Sequence, residues 1–302
     1  MYEQIARNKR RTVLLVIGAL VFAGGLGFLF SYLIVNNGFA GLVIALIVVG
    51  IGAASSYFAG DKLVLRASRA RPVTQEEEPR LHNIVEGLAL AAGLPKPAIF
   101  VVPEKAPNAF ATGRDPEHAS IAVTQGLMDT MNRVELEGVI GHEMSHVKDR
   151  DILLGTVVAA LVGAVVLLSE FMLRWLWWGG GRGGDRDDNG GRGGFPALII
   201  LGVVLAILAP FFAQVIKLAV SRRREYLADA EGAMLTRYPP GLASALRKIA
   251  ADTTPMRVAN NATAHLWLNQ PSRIPGESAH WWESLFSTHP PIRDRIRILE
   301  EM

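Results

Sequence analysis

At 302 residues, 50% of them hydrophobic and 20% charged, with a formal net charge of +3, the chain is too apolar for an ordinary soluble protein. Its basic residues gather beside apolar runs instead of forming a stripe, which argues against nucleic acid as a partner. Cysteine is absent, which excludes disulfides, thiolate metal sites and a cysteine nucleophile, so any metal must be held by His, Asp or Glu.

From Thr12 to Val35 no residue is charged, and the run exceeds the ~20 residues that cross a ~30 Å hydrocarbon core. Asn36-Asn37-Gly38 supplies a minimal turn, and Phe39 to Phe58 is a second uncharged run. Residues 1–60 therefore read as an N-terminal transmembrane hairpin. A signal peptide fits less well, because the first run is long for a signal core and another span follows at once. Two further runs, Ile152 to Leu173 and Phe195 to Val220, flank the loop GGGRGGDRDDNGGRGG, giving a second transmembrane hairpin over residues 152–220. Trp175, Trp177 and Trp178 stand where an aromatic belt would sit, and Pro210 is placed to kink the fourth run. The alternative is that runs three and four are buried helices that pack against the bilayer without crossing it. Arg7, Lys9, Arg10 and Arg11 precede the first span, Lys62, Arg66, Arg69 and Arg71 follow the second, and Arg222 to Arg224 follow the fourth. That bias puts those ends in the cytoplasm, although Arg182, Arg186 and Arg192 in the Gly-rich loop dilute it.

Residues 61–151 and 221–302 are polar and fall on one side of the bilayer, so they read as two parts of one catalytic domain. In the first part, QEEEPRLHNIVEGLALAAGL patterns as an amphipathic helix, and Ala98–Val102, Ala109–Thr112 and Ser120–Thr124 pattern as short strands. Leu127 to Lys148 patterns as helical. The second part is mostly helical and ends in an Arg-rich helix from Pro291 onward. The predicted fold class is mainly α with a small β-sheet, on four transmembrane helices.

Chemistry concentrates in GVIGHEMSHVKDRD. His142 and His146, four residues apart on a helix, project from one face ~5–6 Å apart and can grip one metal ion. Glu143 then stands beside the open coordination position, where it can take a proton from water. A catalytic site needs a third ligand, here His, Glu or Asp. In SRRREYLADAEGAM, Glu225 and Asp229 share a helix face, so one can bind metal while the other orients a ligand. Taken alone, the same segment fits a solvated helix with Arg–Glu pairs.

Asn108-Ala109-Phe110-Ala111, the Gly141 to His146 motif, Arg222 followed by Glu225-Tyr226-Leu227-Ala228-Asp229, and Thr288-His289-Pro290 together resemble a known family. It is that of the integral-membrane gluzincin peptidases, which include the HtpX heat-shock proteases and the CAAX prenyl endopeptidases. The resemblance covers nearly the whole chain, and the order, spacing and four apolar runs look most like the HtpX branch. It implies a gluzincin-like metallopeptidase domain with a single zinc ion held by His142, His146 and Glu225, Asp229 supporting the histidines, and Glu143 as catalytic base. It further implies that Asn108, Ala109 and Phe110 belong to an edge strand pairing with an extended substrate backbone. His289 would donate to the oxyanion. His82, His118, His265 and His280 lack partner spacing and read as structural or solvated. The activity so implied is a zinc metalloendopeptidase of the bacterial inner membrane with its catalytic domain cytoplasmic, acting on membrane-protein or unfolded polypeptide substrates in a stress-linked quality-control role. Prenylated C-terminal peptides are the alternative substrate. A non-catalytic scaffold with structural zinc has no need of Glu143.

Overall fold

The computed structural model describes residues 2–159, 222–258, 263, 266–269 and 290–302. The Gly-rich loop, most of the third apolar run, the whole fourth run and His289 lie outside the described residues. Two long helices, α1 (Tyr2–Val35) and α2 (Gly38–Ala67), pack together as a hairpin. Asn36 takes the left-handed φ of 53°, and the Asn37 side chain accepts from the Ala40 N–H at 3.3 Å, so the two asparagines make the turn and cap the second helix. Phe39, Ile51 and Phe58 of α2 are 69%, 63% and 65% exposed. Among the described residues, Gly38–Ala67 is the one helix found long and apolar enough to cross a membrane. Both helices outrun their apolar segments: α1 begins ahead of Thr12 and carries Asn8 into contact with the polar domain.

Strands β1 (Arg71–Pro72), β2 (Ala98–Val102), β3 (Ala109–Gly113) and β4 (Ala119–Thr124) form one sheet in the order β1-β2-β4-β3. β2 and β4 are parallel, the other pairs antiparallel, and β3 is an edge. Helix α3 (Pro79–Ala92) buries Leu81, Ile84, Val85 and Leu88 at helical spacing. It starts at Pro79, later than the amphipathic pattern predicts, because a residue without an N–H suits the first helical position, and it stops at Gly93, whose φ is 67°.

The stretch read as helical from Leu127 to Lys148 holds two helices, α4 (Gln125–Thr130) and α5 (Arg133–Lys148). The Asn132 side chain accepts from the Glu135 N–H at 3.0 Å and the Glu135 carboxylate accepts from the Asn132 N–H at 2.8 Å, a capping box that restarts the helix. Apolar periodicity runs through this break, and only the cap residues mark it.

Helical residues 151–159 follow, then α6 (Arg222–Thr236), α7 (Pro239–Ala251) and α8 (Ile292–Glu300). Leu136, Val139, Ile140 and Met144 of α5 share one core with Leu242, Ala245 and Leu246 of α7 and with Ile121 and Val123 of β4. The fold is mainly helical with a small mixed sheet, in line with the fold class read from the sequence. α5 and α6 meet backbone to backbone: a Cβ on Gly232 would lie 2.7 Å from the His142 nitrogen, which no side chain tolerates. That contact brings the helix carrying Glu225 alongside the histidine helix.

Candidate active site

One helical turn separates His142 from His146, and their Nε2 atoms turn to the same side, 3.2 Å apart. Helix α6 brings Glu225 against them, with Oε2 3.8 Å from His142 Nε2 and Oε1 3.7 Å from His146 Nε2. One ligand atom from each of the three lies within 4.8 Å of the others, the one such group found among the described residues. Tetrahedral ligands ~2.0–2.1 Å from a zinc-sized ion stand about 3.3 Å from one another, so two imidazoles and a carboxylate at these separations fit a single divalent ion.

Each histidine has its own carboxylate behind it. His142 Nδ1 lies 2.9 Å from Asp229 Oδ1, one turn beyond Glu225 on α6. His146 Nδ1 donates to Asp151 Oδ2 at 3.2 Å. Each carboxylate is held in turn by an arginine. Arg295 of α8 grips Asp229 with both prongs, Nε to Oδ2 at 2.8 Å and Nη2 to Oδ1 at 2.7 Å, and donates through Nη1 to the Leu268 carbonyl at 3.2 Å. Arg224 Nη1 donates to Asp151 Oδ1 at 3.0 Å. Burial pushes the Asp229 carboxyl upward, but the charge and hydrogen bonds of Arg295 more than reverse this and hold it below the usual carboxylate range. Asp151 is held low in the same manner, burial being overcome by the bond from His146 and the charge of Arg224. Burial also pushes the His142 imidazole down, toward its neutral form. A neutral imidazole that donates from Nδ1 to a fixed carboxylate leaves its Nε2 lone pair for a metal.

Glu143 is 2% exposed. Burial pushes its carboxyl up to about 7, with His146 working downward and Glu225 upward. A general base is most effective with a pKa near the working pH.

The structure brings together His142, Glu143, His146, Glu225 and Asp229, all singled out from the sequence. His289 lies outside the described residues. Asn108, Ala109 and Phe110 sit at the start of β3. The Thr124 N–H donates to the Asn108 carbonyl at 2.9 Å, so the backbone of Asn108 faces β4 and the pleat turns those of Ala109 and Ala111 to the outer edge, where Glu143 takes a backbone hydrogen bond from Ala111. On that edge the Ala109 carbonyl accepts from the Leu268 N–H at 2.9 Å. The Asn108 side chain pairs both ways with the Asn269 backbone, Nδ2 donating to O at 2.8 Å and Oδ1 accepting from N at 3.1 Å. Phe110 is buried, edge-on to Trp267 with ring centres 4.7 Å apart.

Sequence reasoning missed Asp151, Arg224 and Arg295. Arg295 left a signal: in IRDRIRILE it shares a helix face with Ile292, Ile296 and Leu299, and a cation on an apolar face needs a buried acid. Asp151 and Arg224 left none beyond their closeness to the ligands in sequence.

Two histidines on one helix, a glutamate from a second and a buried glutamate beside them define a metal-dependent hydrolase site. The family model for Peptidase family M48 matches residues 75–302, and the chain belongs to that family of metallopeptidases. "Protease HtpX homolog" of Thermoanaerobacter pseudethanolicus is 46% identical over 100% of this chain and 98% of its own length. The protein of the same name from Caldanaerobacter subterraneus subsp. tengcongensis is also 46% identical, over 100% of this chain and 98% of its own. The crystal structure of S. mikatae Ste24p aligns with 99% of this chain and 67% of that one, at 18% identity and a TM-score of 0.49. The likeness to HtpX proteases read from the motifs is borne out by these relatives.

Proposed function

We propose that this metallopeptidase is a zinc-dependent endopeptidase of the bacterial inner (plasma) membrane, multi-pass, with a cytoplasmic catalytic domain that degrades misfolded membrane proteins and unfolded polypeptides. The observation that carries the reading is the His142–His146–Glu225 triangle with Glu143 buried beside it. The exposed apolar face of α2 and the basic residues at its end support residence in a bilayer. Residues 1–60 and 152–220 are assigned to the two membrane hairpins, and residues 61–151 and 221–302 to the catalytic domain.

His142, His146 and Glu225 would hold the zinc ion, which when bound would supply Lewis acidity toward the scissile carbonyl and water. Glu143 takes the proton of the attacking water and passes it to the leaving amine. Asp229 keeps the His142 ring in register. The outer edge of β3, at Asn108, Ala109 and Phe110, aligns an extended substrate backbone in place of residues 267–269. His289 donates to the developing oxyanion.

Replacing Glu143 with Gln tests the mechanism. The variant is expected to retain bound zinc and its unfolding temperature, while cleavage of an unfolded model protein falls by ~10²–10⁴-fold. Undiminished cleavage sinks the assignment.

A further inference from the structure

The second metal-binding histidine is braced from the N-terminal helix. α5 ends at Lys148, Asp149 caps it, and Arg150 adopts the left-handed φ of 57°. That reversal folds the chain back on the last turn of α5, so that Asp151 meets His146, its Oδ2 accepting from Nδ1 at 3.2 Å. Its other oxygen, Oδ1, accepts from Arg224 Nη1 at 3.0 Å and from the Asn8 side-chain amide. Asn8 is 3% exposed, and the same amide donates to the Asp149 carbonyl at 3.2 Å. Both sides of the reversal are thus fastened to α1. Asparagine at the foot of a membrane helix is ordinarily solvated, and burying its amide is tolerated only against such partners. Arg224 directly precedes Glu225, so Asp151 also ties the helix of the third ligand to that of the other two.

We propose that Asp151 is a positioning residue for His146, and that Asn8 together with Arg224 fixes Asp151, which makes the first turns of α1 part of the metal site's support. The inference rests on the reading of His142, His146 and Glu225 as zinc ligands. Donation from Nδ1 to a fixed carboxylate selects the tautomer whose Nε2 lone pair faces the ion and sets the plane of the ring. Asp229, gripped by Arg295, does the same for His142, so the site has two carboxylate–histidine pairs, each backed by an arginine.

The test uses the full-length protein in detergent, stripped of metal. Zinc affinity is measured by competition with a chromophoric chelator, the Co²⁺ visible absorption bands report ligand geometry, and thermal unfolding of the metal-free chain reports the fold. Asp151→Asn is expected to weaken zinc ~10–100-fold and to shift the cobalt bands. Asn8→Ala, one hydrogen bond further from the ring, is expected to weaken zinc by about 3–10-fold and shift the same bands, with the metal-free unfolding temperature near wild type. His146→Ala is the reference. Wild-type zinc affinity in His146→Ala overturns the metal-site reading itself. Loss in His146→Ala with wild-type affinity and cobalt bands in both other variants leaves the site standing and overturns the proposal. Loss in Asp151→Asn alone overturns the link to α1. Where Asp151→Asn fails to fold, Asn8→Ala decides by the same criteria.

Discussion

Among the carboxylates near the site, Asp149 is held against its charge. It is buried at the end of α5, and its Oδ1 has no hydrogen-bond partner among the described residues. Burial first, then the negative neighbours Glu231 and Asp151, push its carboxyl up to about 6. In the unfolded chain the value is ~3.9, so the native state favours the proton and stability falls as pH rises from about 4 through about 6. Asp149→Asn removes the penalty. At pH above about 7 it is expected to stabilise the protein by on the order of 1–2 kcal/mol, the gain fading below about pH 4, as thermal unfolding across that range will show. Arg295 presents the opposite case, a buried cation satisfied on every side. Arg295→Met strands the Asp229 carboxylate and is expected to cost ~3–5 kcal/mol in denaturant unfolding. Lysine is a poor substitute, since an ammonium cannot span both carboxylate oxygens as the guanidinium does.

At the scale of elements, the capping box that starts α5 also stitches it to α7. Glu135 accepts from Ser244 Oγ at 2.7 Å and from Lys248 Nζ at 2.6 Å, besides capping. Asn132→Ala is therefore expected to cost ~1 kcal/mol, the value of a cap. Glu135→Ala should cost more, since it also removes the tie between helices. The contact of α5 with α6 depends on Gly232, two turns along from Glu225. Gly232→Val forces the helices apart at His142 and is expected to cost ~1–3 kcal/mol and to weaken zinc binding, measurable by equilibrium dialysis. Normal zinc affinity in that variant would show that Glu225 is not held by this packing.

Across the whole molecule, the candidate metal ligands come from segments far apart in the chain. His142 and His146 precede the third and fourth apolar runs, and Glu225 follows them. On the proposed reading zinc would cross-link residues 61–151 to residues 221–302, so chelation is expected to lower the unfolding temperature and added zinc to restore it. The effect is worth ~2.7 kcal/mol at one hundred times the dissociation constant. Glu225 and Asp229 showed only a shared helix face and took their roles from the family resemblance, whereas the His142–His146 pair and three strands to within a residue at their ends were legible in the sequence, because each is a local pattern of period or spacing. The same holds for the two apolar N-terminal runs and the Asn-Asn-Gly turn. The break at Met131–Asn132 escaped periodicity, since a cap is written in polar residues that the apolar pattern passes over. By itself, then, the sequence determined the metallopeptidase class and the kind of elements that carry its candidate site. Only the tertiary structure decided which arginine neutralises Asp229, that Asp151 turns back on His146, and that Asn8 from the first helix reaches Asp149 and Asp151. The arginine and asparagine pairings join residues far apart in the chain, and no local rule selects among many arginines and asparagines until backbone packing leaves one of each within hydrogen-bond reach of a carboxylate, while Asp151 meets His146 through the left-handed turn at Arg150.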